Sequence, residues 1–264
     1  MESSRLKTII LLILVLVNGF LLTSLLLRRA DAVSAQSRTR QELVELFAAD
    51  PVAASLSPDA VSFAAPPSGQ ILARNSLLEQ QIASALLGDG LEITDRGGGI
   101  FRGDNQLGQA TFRSGGSFEI TGTLLGQDAE DAARRFCRDY GYRDLTWNDG
   151  AGTAVEYYGD LPVVNCTVEF LSEDGRLISV SGTHLPDRGT ETDGGTLDDA
   201  TALTRFLSYC RESGAVVSAV TDTYLCYELE SSAAAPMTLI PSWCIVTSAS
   251  NYYVNCLTGA ITHD

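Results

Sequence analysis

The chain has 264 residues, enough for one large domain or two small ones. Hydrophobic residues make up 45% of it, so a sizeable core is expected and wholesale disorder is excluded. Acidic residues outnumber basic ones by 33 to 18, which gives a formal net charge of -15. A chain of this charge repels phosphate backbones, so we expect no nucleic-acid partner.

An uncharged and almost wholly aliphatic stretch covers residues 8–27. As a helix that rises about 1.5 Å per residue, it would span about 30 Å, the thickness of a bilayer core. We therefore predict one transmembrane helix at 8–27, which binds the lipid bilayer, after a cytoplasmic tail at 1–7. The acidic remainder is typical of an exported domain, so we expect the bulk of the chain to be extracytoplasmic.

A cleaved signal peptide is the alternative interpretation of this stretch. Ala30-Asp31-Ala32 has the form of a cleavage site, and a secreted protein would then begin near Val33. The apolar stretch is longer than the roughly 7 to 15 residues of a signal peptide, and Arg28 and Arg29 follow it. Both features favour an uncleaved anchor.

Small and polar residues inside the apolar stretch indicate a partner helix. Asn18 is costly to expose to lipid, and Gly19 with Thr23 forms a small-xxx-small pair that permits close helix approach. We predict that Asn18, Gly19 and Thr23 form a partner-binding face. The alternative is that lipid simply tolerates a lone asparagine and glycine.

Residues 28–69 are predicted to be a juxtamembrane helix and a linker. Apolar residues at helical spacing indicate a helix that Asp50-Pro51 ends, and the proline-rich stretch 51–69 is typical of a linker.

The remainder, 70–264, is predicted to be an α+β domain of repeated helix-plus-antiparallel-sheet units, with subunits at about 70–182 and 183–264. Amphipathic patterns predict helices at 71–87, 128–140 and 197–211, the last with Thr196 as its N-cap. Alternating patterns predict strands between and after them, with a hairpin turn at Glu173-Asp174-Gly175.

Sequence signatures of catalysis and of cofactor binding are missing from the chain. It contains no G-x-S-x-G, P-loop, H-E-x-x-H or dinucleotide motif, so we expect no enzyme, no cofactor and no metal site. His184 lies after a predicted strand and two residues before Pro186, and it is interpreted as a polar loop residue. The acidic residues from Asp187 to Asp199 lack the spacing of a calcium loop and are interpreted as a solvated loop and helix start.

Six cysteines follow the apolar stretch, and none forms a C-x-x-C pair. An even number permits three disulfides, while their apolar surroundings are equally typical of buried thiols. The sequence leaves both interpretations open.

Short motifs at both ends resemble the YycH/YycI family of regulatory proteins of Gram-positive bacteria, the YycI type in particular. The motifs are Lys7-Thr8-Ile9-Ile10, Asn18-Gly19-Phe20-Leu21-Leu22, Pro241-Ser242-Trp243, Tyr252-Tyr253-Val254-Asn255 and Gly259-Ala260-Ile261. The resemblance implies a non-enzymatic, single-pass membrane protein with an extracytoplasmic α+β domain. It also implies that the protein, with a YycH-like partner, binds the sensor histidine kinase WalK, or one like it, and adjusts signalling that controls cell-wall metabolism.

Two functions from different classes therefore follow. The first is a membrane-anchored regulator that binds a sensor histidine kinase. The alternative is a membrane-anchored cell-envelope hydrolase or a protease-inhibitor-like domain, and a deep cleft with converging polar groups would favour the hydrolase.

Overall fold

The structure is a computed structural model that describes residues 2–50, 55–126, 128–192, 197–215, 217–232 and 235–263. Side chains are described from residue 14 onward, except at positions 15, 26, 28 and 30. These residues form four α-helices, one short 3-10 helix and fifteen strands, which confirms the predicted α+β class.

The helices are α1 (Glu2–Ala48), α2 (Ser76–Leu87), α3 (Ala129–Tyr140) and α4 (Asp199–Ser213). The strands of the first half of the sheet are β3 (Thr94–Asp95), β4 (Ile100–Asp104), β5 (Gly108–Arg113), β6 (Ser117–Gly122), β7 (Tyr142–Asn148), β8 (Ala151–Tyr158), β9 (Leu161–Glu173) and β10 (Arg176–Thr183). The strands of the second half are β1 (Ser55–Leu56), β2 (Gly69–Leu72), β11 (Thr190–Thr192), β12 (Ala219–Ser232), β13 (Ala235–Thr247), β14 (Asn251–Asn255) and β15 (Ile261–His263).

The first helix, α1, is a single helix of 47 residues with no break between the predicted membrane segment and the predicted juxtamembrane helix. It ends at Ala48, before the predicted stop at Asp50-Pro51. Within the described residues, no helix has the length and apolarity that a membrane span needs. The predicted span at 8–27 includes side chains at 8–13, 15 and 26 that lie outside the description, so that span stays a prediction.

Capping side chains fix where the other helices begin and end. Asp128 accepts a hydrogen bond from the Asp131 N–H at 2.9 Å and caps α3, which ends at Gly141 in the left-handed conformation. The helix begins one residue after the predicted residue 128 and ends at the predicted residue 140. The α2 helix begins later than the predicted residue 71, because Asn75 caps it and residues 69–72 form a strand. At α4 the N-cap is Asp198, whereas the predicted cap Thr196 lies outside the described residues.

One continuous sheet connects the two halves in the order β11-β2-β13-β12-β9-β10-β6-β5-β4-β3. Its pairings are antiparallel except at β12, which pairs in parallel with β1 on one stretch and with β9 at Tyr227–Val163. The predicted hairpin between β9 and β10 is present, with Asp174 and Gly175 both at positive φ.

Four clusters of buried side chains hold the fold together, and the smallest of them contains Cys226, Cys244 and Tyr253. Helices α2 and α3 cover the first half of the sheet around Phe112, Phe118 and Phe136. Helix α4 and the end of α1 cover the second half around Trp243, and a smaller cluster with Val163 fills the seam between the halves.

The predicted linker at 51–69 differs from the observed structure. Ser55–Leu56 pairs with β12, Ala60 and Val61 are buried, and Arg40 of α1 donates a hydrogen bond to the Val61 carbonyl at 3.0 Å. Residues 51–54 lie outside the described residues. The proline-rich composition is a weak local signal, and contacts with distant strands give this segment its structure.

Candidate functional site

A cleft of about 700 Å³ lies at the seam where the two halves of the sheet meet. One wall is the edge of β12, the other is the end of β8 and the start of β9, and residues after the 3-10 helix close one side. Its volume is in the range of about 300–1,000 Å³ that ligand pockets occupy. The lining side chains are Ser62, Ala64, Asp144, Val155, Tyr157, Asp160, Leu161, Pro162, Val164, Thr223, Tyr224, Leu225 and Tyr253.

The edge of β12 is open along the cleft. Pairing with β1 is seen at Ala219 and Val220, and pairing with β9 at Tyr227. Between them, the described part of the chain places no strand on this side of residues 221–226, and residues 222–226 pair on their other side with β13.

The hydrogen bonds of Leu229 show which backbone N–H and carbonyl groups of β12 point toward this edge. The side chain of Asn165 accepts a hydrogen bond from the Leu229 N–H at 2.7 Å and donates one to the Leu229 carbonyl at 2.8 Å. Alternate residues of a strand direct their backbone N–H and carbonyl groups to the same side. The backbone groups of Thr223, Leu225 and Tyr227 therefore also point away from β13. The backbone groups of Thr223 and Leu225 therefore face the cleft.

Proline explains why β9 does not continue along this edge. Pro162 precedes Val163, the β9 residue that pairs with β12. Proline has no N–H, so it cannot give β12 the hydrogen bond that would extend the parallel ladder toward Leu225. The sequence of β9 thus ends the pairing at the cleft.

The opposite wall carries a tyrosine held by a carboxylate. The Tyr157 hydroxyl donates a hydrogen bond to Asp144 Oδ2 at 2.8 Å. This hydrogen bond, together with burial, raises the pKa of Tyr157. Asp144 has a φ of 57° and lies where the β7–β8 register shifts, so an irregularity in the strand turns this carboxylate to the cleft.

Charge at the cleft is acidic. Asp144 and Asp160 line it, and no cationic side chain does so among the described residues. The Arg143 guanidinium contacts two lining residues: it lies 4.6 Å from the Tyr157 ring centroid and 3.6 Å from Asp160 Oδ1. It also donates a hydrogen bond to the Gly159 carbonyl at 3.0 Å. The cleft is thus a mainly apolar surface with an acidic rim.

His184 was predicted to be a polar loop residue, and it does lie outside the helices and strands, directly after β10, but it is buried. It is 2% exposed and lies 5.8 Å from the Phe112 ring and 5.9 Å from the Phe118 ring. Burial lowers its pKa to about 4, helped by the charge of Arg74. His184 does not line the cleft, because the chain after β10 carries it into the core of the first half.

A second buried titratable group, Glu156, lies in β8 beside the seam. Its Oε1 accepts a hydrogen bond from the Leu185 N–H at 2.6 Å, and burial raises its pKa well above the usual range.

Among the described residues, no three histidine, cysteine or acidic side chains come together in a way that could hold a metal ion. The predicted solvated acidic loop also differs in part: Asp199 is 1% exposed and accepts a hydrogen bond from the Phe63 N–H at 2.6 Å. Asp193 lies outside the described residues.

All six cysteines are buried thiols in the structure and none is in a disulfide. Burial raises the pKa of Cys137 to about 11 and that of Cys256 to about 12. The structure therefore favours the second of the two interpretations that the sequence left open.

The predicted partner face lies on α1. Asn18, Gly19 and Thr23 are all exposed, and the Thr23 hydroxyl donates to the Gly19 carbonyl one turn earlier at 2.8 Å. Gly19 has open space where a side chain would stand. This face is accessible, and its role in binding stays a prediction.

The cleft residues were missed by sequence reasoning. Val163 and Tyr227, whose pairing forms the seam, are far apart in the chain, and no local pattern links them. The one local signal is the proline that opens β9, which the sequence shows but which does not reveal its partner strand.

No family model and no curated protein matches this chain. An uncharacterized protein from Eubacterium rectale is similar at 11% identity and a TM-score of 0.45, over 80% of this chain and 86% of that one. The Bacillus megaterium YpeB C-terminal domain is similar at 12% identity and a TM-score of 0.36, over 73% of this chain and 98% of that one. YpeB is a different protein from YycI, so the YycH/YycI resemblance stays a prediction.

Proposed function

We propose that this chain is a membrane-anchored, non-enzymatic regulator whose folded part binds a partner protein at the seam cleft. The partner is a sensor histidine kinase of the kind that controls cell-wall metabolism, together with a YycH-like protein. The observation that carries the proposal is the open edge of β12 beside a mainly apolar cleft. The resemblance of the chain ends to the YycH/YycI family supplies the identity of the partner.

Exposed apolar side chains on α1 support the membrane anchor. A row of leucine, valine and phenylalanine side chains on this helix contacts no core cluster: Leu14, Leu16, Val17, Phe20, Leu21, Leu22, Leu25 and Leu27. An exposed apolar surface of this extent is typical of a site that contacts a membrane or another protein. In the proposal the N-terminus is cytoplasmic, and the sheet and its helices are extracytoplasmic.

Matching positions in α3 and α4 support the duplicated units. Each helix begins at an aspartate N-cap and carries a phenylalanine eight residues later, Phe136 and Phe206. Each ends at a left-handed glycine whose N–H donates to the carbonyl of a cysteine, Cys137 in α3 and Cys210 in α4. The cleft then lies between two related helix-plus-sheet units, where a partner can contact both.

The polar groups of the cleft support binding rather than hydrolysis. The Asp144 carboxylate accepts a hydrogen bond from the Tyr157 hydroxyl, and the Asp160 side chain is 99% exposed. A glycosidase-type general acid needs a desolvated carboxyl with a raised pKa, and full exposure does not supply that environment. The lining otherwise offers hydroxyls and apolar side chains without a neighbouring general base.

The test is purification of the tagged full-length chain from its native membranes, with identification of the accompanying proteins and of its own N-terminus. The proposal expects an intact N-terminus, a sensor kinase and a YycH-like protein. The double variant N18L/G19L should reduce kinase recovery at least about tenfold, because bulky side chains block close helix approach. The matched control V17L, on the same helix, should leave recovery unchanged. A chain that begins near Val33 and brings no kinase would overturn the proposal.

A further inference from the structure

We infer that the cleft binds an extended, basic peptide segment that pairs with the open edge of β12. This inference rests on the proposed function in one respect: the segment would belong to the partner protein. The structure identifies the segment by its chemistry, namely an extended backbone, alternating apolar side chains and at least one cationic side chain.

The open edge of β12 is the reason to expect a bound segment with an extended backbone. Thr223 and Leu225 direct their N–H and carbonyl groups into the cleft, and Pro162 prevents β9 from reaching them. Proteins usually cover or interrupt such edges, because an open edge pairs with other chains. At Leu229 this chain does so with the Asn165 amide, which occupies both backbone groups. At Thr223 the hydroxyl donates to the Ala60 carbonyl and the residue is buried, whereas the described residues supply no such cover at Leu225.

The apolar residues that line the cleft are the reason to expect apolar side chains in the bound segment. An added strand presents successive side chains to opposite sides of the sheet. On one side it would meet Leu225, which packs against the core of the second half, and on the other Tyr224 and Tyr253, which share a second cluster. In strand addition, main-chain hydrogen bonds supply affinity, and pockets for alternate side chains supply specificity.

The negative charge at the rim of the cleft is the reason to expect a cationic side chain in the bound segment. The lining contributes Asp144 and Asp160, and the whole chain carries a net charge of -15. Arg143 is already held by the Gly159 carbonyl, Asp160 and the Tyr157 ring. An acidic segment would be repelled, whereas a lysine or arginine beside the rim would be attracted.

The experiment measures binding of a fluorescent, capped peptide, Val-Lys-Val-Lys-Val-Lys-Val, to the full-length chain in detergent micelles. Saturable binding is expected, and it should weaken as salt concentration rises. A peptide with glutamate in place of lysine should not bind. A peptide with N-methyl groups on every backbone nitrogen should bind at least about tenfold more weakly, because neither of its edges can then donate a hydrogen bond to β12.

Matched aspartate variants test the charge of the rim. D144N/D160N should weaken peptide binding about tenfold, since asparagine removes the charge and keeps the shape. Asparagine also tolerates the positive φ of Asp144. The control D149N/D174N changes two exposed aspartates that also have positive φ and do not line the cleft, and it should bind as the unmodified chain does.

Three results would overturn the inference: no binding of the lysine peptide, equal binding of the N-methylated peptide, or equal loss in both aspartate pairs. Its failure is distinguishable from failure of the proposed function. If the kinase co-purifies while the peptide does not bind, only the inference fails. If the peptide binds as expected while no kinase is recovered, the inference stands and the proposed partner is wrong.

Discussion

Replacing His184 by leucine should change how the stability of the folded part depends on pH. The imidazole packs against both the Phe112 and Phe118 rings, and neither ring nitrogen has a hydrogen-bond partner among the described residues. Burial lowers the pKa of His184 from 6.5 to about 4, with a further contribution from Arg74. As pH falls through this window, the unfolded chain takes up a proton that the folded chain does not, so the free energy of unfolding decreases.

The magnitude follows from the difference in pKa. At about 1.36 kcal/mol per pH unit, it corresponds to a loss of about 3 kcal/mol between pH 6.5 and pH 4. Glu156 acts in the opposite sense: its raised pKa makes the folded state less stable as pH rises above the usual carboxyl range. Because H184L keeps Glu156, the difference between the variant and the unmodified chain isolates the histidine.

The assay is urea unfolding of the full-length chain in micelles from pH 7 to pH 4, followed by tryptophan fluorescence. Trp243 is fully buried and reports on the second half of the sheet, and Trp147 packs against the core of the first half. We expect the stability of H184L relative to the unmodified chain to rise by about 3 kcal/mol as pH falls from 6.5 to 4. The control H263L changes an exposed histidine and should follow the unmodified chain. Parallel pH profiles for H184L and the unmodified chain would refute the reasoning.

Three further predictions concern the packing of the second half and the thiols. R211M removes the guanidinium that pairs with the buried Asp50 carboxylate, so thermal unfolding should show a loss of about 2 kcal/mol, and an unchanged midpoint would contradict this. W243F removes the hydrogen bond from the indole to the Leu197 carbonyl at 2.9 Å and leaves a void, so chemical unfolding should show a loss of about 2 kcal/mol. The six buried thiols should resist alkylation in the folded chain at pH 8 and react in denaturant, as counted by mass spectrometry. Rapid labelling of the folded chain would show that they are accessible.

Local signals predicted the helices and hairpins well. The caps Asp128 and Gly141 act within one turn of α3, and the structure has this helix where the pattern at 128–140 predicts it. The turn at Asp174-Gly175 is equally local. Where a distant strand decides the outcome, prediction failed: Ser55–Leu56 forms a strand only because β12 lies beside it.

The cleft could not be predicted for the same reason. Its walls come from β8, β9 and β12, and the pairing of Val163 with Tyr227 has no signature in either strand alone. His184 lies two residues before a proline in a polar stretch, which is typical of a loop. Its burial depends on Phe112 and Phe118, which belong to other strands of the same half. Sequence patterns report the neighbours of a residue along the chain, whereas these features depend on its neighbours across the sheet.

Site-specific photocrosslinking in native membranes tests the central claim most directly. A photoreactive benzoylphenylalanine would replace Ser62, an exposed residue that lines the cleft, and in a second sample would replace Ser208, an exposed residue of α4 that does not. The account predicts crosslinks from position 62 to an extracytoplasmic segment of a sensor kinase, and none from position 208. Kinase crosslinks from position 208 alone, or no crosslink from position 62 while the kinase co-purifies, would contradict it.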